Sequence, residues 1–460
     1  MTLPCQTTAS IVQQLVEYYR CPEEYSSFGL LGNSTGQPGF FRFGHDTICY
    51  GRYFGRQPAS RADAQQFDAT QDTEIKNGTV YLPFDPSEVV DNLRLETYAP
   101  DWRSHFPNSA LTLLYYFLRP CLPVGIRRHI QEFHFRGWNE LPFPRWPVDC
   151  SVDNLLSQLL ALLLKTSGVD RIPFIWFWPQ GASSCAIITH DVETKLGCKL
   201  CSDLMDMDDA ARVKASFQVI PEQRYIVTPG FLASIRDRGF EIVVHDLNHD
   251  GHLYRNHKQF LRRASKINSY ATLYGAEGFR AATLYRKQLW YDALEFSYDM
   301  SIPNVAHLDP QRGGCCTVMP FFIGKILELP VTTAQDYTLF NILNDCSIDL
   351  WKSQMEIIRE KHGLISFIVH PDYLVEPQHR SAYEDLLACL DRMRNNDGLW
   401  IATPDEVNRW WRLRSEMRLS KVGAGWGIKG PGSERASLAH ATLKRDTLQY
   451  DLQATTDRAH

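Results

Sequence analysis

Residues 185–193 read CAIITHDVE, an apolar and β-branched run from Cys185 to Thr189 that ends in a histidine and two acids. Such a run is too short for a helix and predicts a strand buried on both faces. Because side chains alternate along a strand, Asp191 and Glu193 fall on one side if the strand persists through them. Two carboxylates in one space can divide labour, one ligating a metal and the other, held ionised, accepting a proton from water. A helix N-cap followed by a first-turn Glu explains the same letters without chemistry, and on this segment alone the two readings stand level.

The pattern repeats downstream. From Gly181 onward, short apolar runs alternate with helical or loop stretches, as βα units around a parallel sheet do. Eight strands are predicted, at 185–189, 215–220, 240–244, 278–280, 296–298, 326–329, 364–369 and 399–402. The fold class is α/β, and a barrel is its natural closure. In such a barrel the loops at the carboxyl ends of the strands converge on one mouth. Asp191, His245, Arg280, Asp299 and His370 all stand at or just past those ends, so residues scattered along the chain come to share one site.

Residues 1–175 form a mixed α+β accessory region, aromatic and broken by Gly and Pro over 39–98, then helical in pattern to Lys165. RIPFIWFWP, residues 171–179, is too short and too Pro-bounded for a helix and reads as a buried strand or packing wedge at the boundary. The barrel occupies 176–416. Residues 417–460 turn polar and lose periodicity, which predicts a disordered tail whose removal near Met417 leaves stability nearly unchanged. Gly425, Gly427 and Gly430 match G-x-G-x-x-G, but no predicted strand precedes them and Pro431 follows, which excludes a dinucleotide site. Ser34 sits in a G-x-S-x-G match, yet Pro38 follows where a nucleophile elbow needs a helix.

With 460 residues, 44% hydrophobic and 22% charged, the composition is that of an ordinary globular protein. A net charge of -5 gives no electrostatic reason to bind nucleic acid. The greasiest segments, 111–118 and 155–164, fall short of the roughly 20 apolar residues of a membrane span, so no transmembrane segment is expected and both read as core helices. Arg127 and Arg128 permit a peripheral membrane contact, although a solvated basic face is the commoner cause of such a pair. Residues 1–15 lack the basic start and apolar run of a secretory signal, which predicts a cytoplasmic chain with free thiols among its 12 cysteines. Cys198 and Cys201 form a C-x-x-C, but a zinc knuckle needs a second pair nearby. The sequons at Asn33 and Asn77 have no bearing on a chain that stays in the cytoplasm, and nothing in the composition sets an oligomeric state.

HDLNHDGH, residues 245–252, follows the third predicted strand. His245 and His249 share a face if a helical turn follows, which brings two imidazoles to one metal. His252 could compete as a ligand, while Asp246 and Asp250 could orient the rings as hydrogen-bond acceptors. H-x-x-x-H is a modest signal in a chain with 15 histidines. The apolar strand upstream and the carboxylates elsewhere strengthen it.

In order as well as type, these segments resemble the motifs of the polysaccharide deacetylase family, also called the NodB-homology family or carbohydrate esterase family four. THDVE (189–193) resembles the first motif, a catalytic Asp with a metal-binding acid, and HDLNH (245–249) the second, with two metal-binding histidines. GFRAA (278–282), YDMSI (298–302) and FIVHP (367–371) resemble the third, fourth and fifth, built around an Arg, an Asp and a His. The resemblance covers roughly 183–405, with departures: Val192 between the acids, Asp246 where Ser or Thr is usual, no Pro after Arg280 and no Trp after Asp299.

The resemblance implies a distorted (β/α) barrel of the polysaccharide deacetylase type. It also implies a divalent ion, Zn²⁺ or comparable, on Glu193, His245 and His249 with an open position for water. Asp191 would accept a proton from that water, Arg280 would hold Asp191 ionised, and His370, paired with Asp299, would protonate the departing amine. Whether Asp191 or Glu193 is the ligand stays open. The implied substrate is an N-acetylated carbohydrate or sugar conjugate. Alternatives are hydrolysis of another C–N bond, as in allantoinase-like relatives, or a catalytically silent carbohydrate-binding barrel; the presence of both Asp191 and His370 speaks against the latter.

Overall fold

The computed structural model describes residues 9–25, 28–32, 36–99, 135–423 and 425–453. Segment 111–118, Arg127, Arg128, Asn33 and Ser34 lie outside them. The chain forms two compact units, one of Met1–Tyr98, Cys150–Ser183 and Arg409–His460, the other of Ala99–Asp149 and Ser184–Asn408. The first unit is thus assembled from three pieces of chain rather than from one amino-terminal block.

Five short strands open the first unit: β1 (Phe28–Leu30), β2 (Gly39–Arg42), β3 (Ile48–Gly51), β4 (Glu74–Lys76) and β5 (Thr79–Leu82). They pair as β1-β5-β4 and β2-β3. The apolar segment 155–164 lies in the helix Ser151–Thr166, whose buried Leu155, Leu156, Leu159, Leu160, Leu163 and Leu164 follow helical periodicity. RIPFI becomes β6 (Arg171–Ile175), with Ile172, Phe174 and Ile175 fully buried. Among the described residues no helix is long and apolar enough to cross a membrane.

The second unit carries one sheet built from β7 (Ser184–Val192), β8 (Ser216–Val219), β9 (Glu241–His245), β10 (Gly278–Arg280), β11 (Tyr298–Asp299), β12 (Phe321–Ile323), β13 (Ile326–Glu328), β14 (Leu364–Val369) and β15 (Leu399–Ile401). Its path is β12-β13-β11-β10-β9-β8-β7-β14, and β12 alone on that path runs antiparallel to its neighbour. All eight predicted strands are present, with β12 added. Every residue of β7 is buried, as a central parallel strand requires. Thr194 caps the next helix, Lys195–Ala210, by accepting from the Gly197 amide.

The ring does not close through the last strand. β15 pairs with the first residues of β7, on the side where β8 pairs with the last ones. Closure falls instead to the chain leaving β13. There the Val331 amide donates to the Ile302 carbonyl and the Asn304 amide to the Val331 carbonyl, extending the pairing with the β11 side. The chain then meets β14, where the hydroxyls of Thr332 and Thr333 donate to the carbonyls of Leu364 and Ser366, and the Ser366 amide donates to Thr332 Oγ1. Side-chain hydroxyls replace a backbone ladder at this seam. The result is a distorted (β/α) barrel.

Residues 418–423 and 425–452 carry strands, contrary to the expectation of a disordered tail. β16 (Arg418–Val422) and β17 (Gly425–Lys429) form one hairpin, β18 (Leu438–Lys444) and β19 (Thr447–Leu452) another, and β18 pairs antiparallel with β6. The buried positions of β18 are Ala439 and Ala441, small residues that give its period-2 pattern little apolar signal. Tyr450 completes the attachment, with its hydroxyl 2.7 Å from that of Tyr19 and its ring 5.2 Å from Phe174. Ending the chain at Met417 strips these contacts from β6. It is expected to lower the melting temperature of the first unit by roughly 5–10 °C, at about 2–4 °C per kcal/mol for a unit of this size; a change below about 1 °C in a thermal melt would show that the tail holds nothing.

Candidate metal centre

Alternation along β7 sorts its polar residues onto two sides. His190 faces a helix, with Nε2 2.9 Å from Asp208 Oδ2, and the Tyr383 hydroxyl donates to the other oxygen of Asp208. Thr189 and Asp191 face the opposite way, where Arg280 Nη1 donates to Thr189 Oγ1 and Asp191 Oδ1, both at 2.7 Å. Arg280 is fully buried and its Nε donates to the Met300 carbonyl at 3.1 Å. Burial alone would raise the Asp191 carboxyl, but the Arg280 guanidinium, then His245 and His370, hold it below the usual carboxylate range.

His245 is the register partner of Arg280 on the adjacent strand. Its Nδ1 lies 3.1 Å from the Arg280 carbonyl. A carbonyl can only accept, so Nδ1 carries the proton and Nε2 presents its lone pair. The four-residue spacing to His249 is not a helical turn. Asp246 and His249 both adopt left-handed backbone, at φ 55° each, in a loop where Asp246 Oδ1 accepts from the Leu247 amide. Arg224, on the loop after β8, donates to the His249 carbonyl at 2.7 Å and has the same nitrogen 3.3 Å from His249 Nδ1. The two rings lie 4.9 Å apart at 66°.

Glu193 completes the convergence. Its Oε1 stands 2.7 Å from His249 Nε2 and 3.7 Å from His245 Nε2. Neither nitrogen makes an aligned hydrogen bond, although both are buried. Left so, His245 Nε2 costs about 1–3 kcal/mol, whereas His249 Nε2 faces the Glu193 carboxylate. Two imidazole nitrogens and a carboxylate oxygen within 4.8 Å of one another are a donor set that fits a zinc-like divalent ion with room for water. Asp191, Glu193 and His370 form a second such group, but Asp191 already spends one oxygen on Arg280, which makes it the poorer ligand. Burial would raise Glu193, yet the facing histidines hold it well below the usual range.

The expected pairing of His370 with Asp299 is replaced by another. His370 Nδ1 lies 2.6 Å from Asp336 Oδ1, and the His370 amide donates to Asp336 Oδ2, also at 2.6 Å. Burial would lower the imidazole, but the Asp336 carboxylate, then Glu193 at 3.5 Å from Nε2, push it well above its ordinary value. Asp299 instead accepts from the Tyr291 hydroxyl at 2.9 Å and the Ser301 hydroxyl at 2.7 Å, beside its register partner Glu328. Asp250 is engaged by both terminal nitrogens of Arg263 and orients neither ring, and His252 is exposed beside Asp250. Asp336 and Arg224 are the residues that sequence reading missed. Asp336 lies on the closing segment beyond β13, not at a strand end, and Arg224 belongs to no motif.

No family model and no curated protein matches the chain. Solved structures similar to it include a protein assigned as a polysaccharide deacetylase from Mycobacterium smegmatis, 18% identical over 55% of this chain and 98% of that one, with a TM-score of 0.43. An allantoinase is 12% identical over 51% of this chain and 92% of that one, at 0.42. The peptidoglycan deacetylase PdaC from Bacillus subtilis is 11% identical over 50% and 93%, at 0.33.

The Asp336 contact has a direct readout. The carboxylate raises His370, so its imidazolium persists as pH rises past the ordinary histidine range and is lost only at the raised value. In Asp336→Asn that loss is expected at lower pH, read from histidine ring resonances in NMR titrations of the two proteins. An unmoved titration would show that Asp336 does not hold His370.

Proposed function

We propose that this chain is a metal-dependent hydrolase of carbon–nitrogen bonds that removes N-acetyl groups from an amino-sugar-containing carbohydrate or conjugate. The observation that carries this is the meeting of Glu193, His245 and His249 beside a carboxyl held ionised and an imidazole held protonated. A bound divalent ion such as Zn²⁺ supplies Lewis acidity there, bringing the pKa of a water to about 7 and polarising an acyl oxygen.

The protein supplies the rest. Asp191, fixed through Oδ1 by Arg280, keeps Oδ2 to accept a proton from water. The Arg280 carbonyl sets the tautomer of His245, so one residue orients both the base and a ligand. His370 offers Nε2–H, 3.5 Å from Glu193 Oε1, while Asp336 holds Nδ1. An amine is a poor leaving group and departs only when protonated, which is the task of a raised, charged imidazole. Base and acid pushed apart in this way assign the two roles. The acyl group and the sugar come from the motif resemblance, which the acid–base pair supports.

Purified chain is expected to hold one divalent ion, and a chelator is expected to remove it together with acetate release from N-acetylated sugars. Asp191→Asn keeps the ion and loses roughly 10²-fold or more in turnover, whereas Glu193→Gln weakens ion affinity. His370→Ala spares the ion and penalises amides more than activated esters. If Asp191→Asn strips the ion and Glu193→Gln keeps it, the two roles are exchanged; if neither changes turnover, the reading fails.

A further inference from the structure

A neutral histidine that holds a metal through one ring nitrogen keeps its proton on the other, and that N–H then needs an acceptor. His245 has one, because its Nδ1 faces the Arg280 carbonyl at 3.1 Å. At His249 the corresponding nitrogen meets Arg224, whose Nη2 stands 3.3 Å from Nδ1. A guanidinium has five N–H donors and no acceptor. Two imidazoles four residues apart, alike in the sequence, are thus backed by groups of opposite kind.

His249 Nε2, 2.7 Å from Glu193 Oε1, is the nitrogen placed to share an ion with that carboxylate. With an ion there, the ring proton sits on Nδ1 and points at Arg224, donor against donor. The guanidinium has other bonds to keep. The same Nη2 donates to the His249 carbonyl at 2.7 Å, and Nε donates to the Asn248 carbonyl at 3.4 Å. Those bonds hold the loop in which Asp246 and His249 adopt left-handed backbone. Unlike the fully buried Arg280, Arg224 is exposed, on the loop before the helix Pro229–Arg236. Turning its guanidinium off the ring therefore leaves no buried cation unpaired.

We infer that Arg224 is a positioning residue that limits metal loading: its carbonyl bonds shape the His249 loop, and its contact with Nδ1 opposes the ion until the guanidinium leaves the ring. This rests on the metal-dependent reading above and adds the control of its metal. The partner behind a ligating histidine is worth about 10- to 100-fold in metal affinity. A donor in that place sets the penalty on His249 while His245 escapes it, so the ion is held more loosely than two acceptor-backed imidazoles would hold it.

The test is the zinc affinity of wild type and Arg224→Met, read by competition with a chromogenic chelator. Methionine cannot donate, and the variant is expected to bind zinc roughly 10-fold more tightly. Losing a positive charge would also favour a cation, so the comparison is repeated at about 1 M salt, where the Debye length is about 3 Å. Most of the gain is expected to remain. Equal or weaker binding by the variant, or a gain that vanishes in salt, overturns the proposal. A second measurement needs no variant: in long-range proton–nitrogen spectra of zinc-loaded wild type, the His245 Nδ1 proton, held by a carbonyl, is expected to exchange with water more slowly than that of His249. Equal exchange overturns the proposal. If both proteins bind zinc alike, the proposal alone falls; if neither binds it, the metal-dependent reading falls as well.

Discussion

The buried guanidinium of Arg280 is the interaction on which the site depends. Its side chain bridges Thr189 and Asp191, and its carbonyl accepts from His245 Nδ1 and from the Asp246 amide. One residue on a three-residue strand thereby ties β7, β9 and β10 together at their carboxyl ends. A charge with no exposure needs a paired anion, and breaking such a pair costs about 3–5 kcal/mol. The same need keeps Asp191 ionised in a buried place. Stability of the barrel mouth and reactivity of the base are thus one constraint.

Asp299 and Glu328 show what burial does to two carboxyls that face each other. They are register neighbours on β11 and β13, both buried, and burial pushes both upward, Glu328 well above the ordinary range. That pair is served by Tyr291, Ser301 and the Ile302 amide. Asp191 on β7 and Glu193 just past its end are held in the opposite state by Arg280 and the histidines. Environment, not residue type, separates the two sets.

This contrast explains how far the site was legible in the chain. Runs of Val, Ile and Phe show where strands lie, and the residue at each strand's end shows where chemistry can gather, which pointed to Asp191, His245, Arg280 and His370 as candidates, with Glu193 added by strand alternation and His249 by its spacing from His245. The same rule misassigned Asp299, because a strand end says nothing of which neighbour a carboxyl meets. Asp336 carries no periodic signal, for it sits on a seam closed by the hydroxyls of Thr332 and Thr333. The loop from His245 to His249 reads as a helical turn by spacing, and only left-handed backbone at Asp246 and His249 reveals otherwise. β18 was hard to see because its buried positions are Ala439 and Ala441.

Whether Glu193, His245 and His249 hold one ion is tested most directly by X-ray absorption at the metal edge of the zinc-loaded protein. Two imidazole nitrogens at about 2.0–2.1 Å and at least one carboxylate oxygen at about 2.0–2.2 Å are expected. A sulfur shell at about 2.3 Å, or a chain that retains no ion after dialysis, would contradict the site.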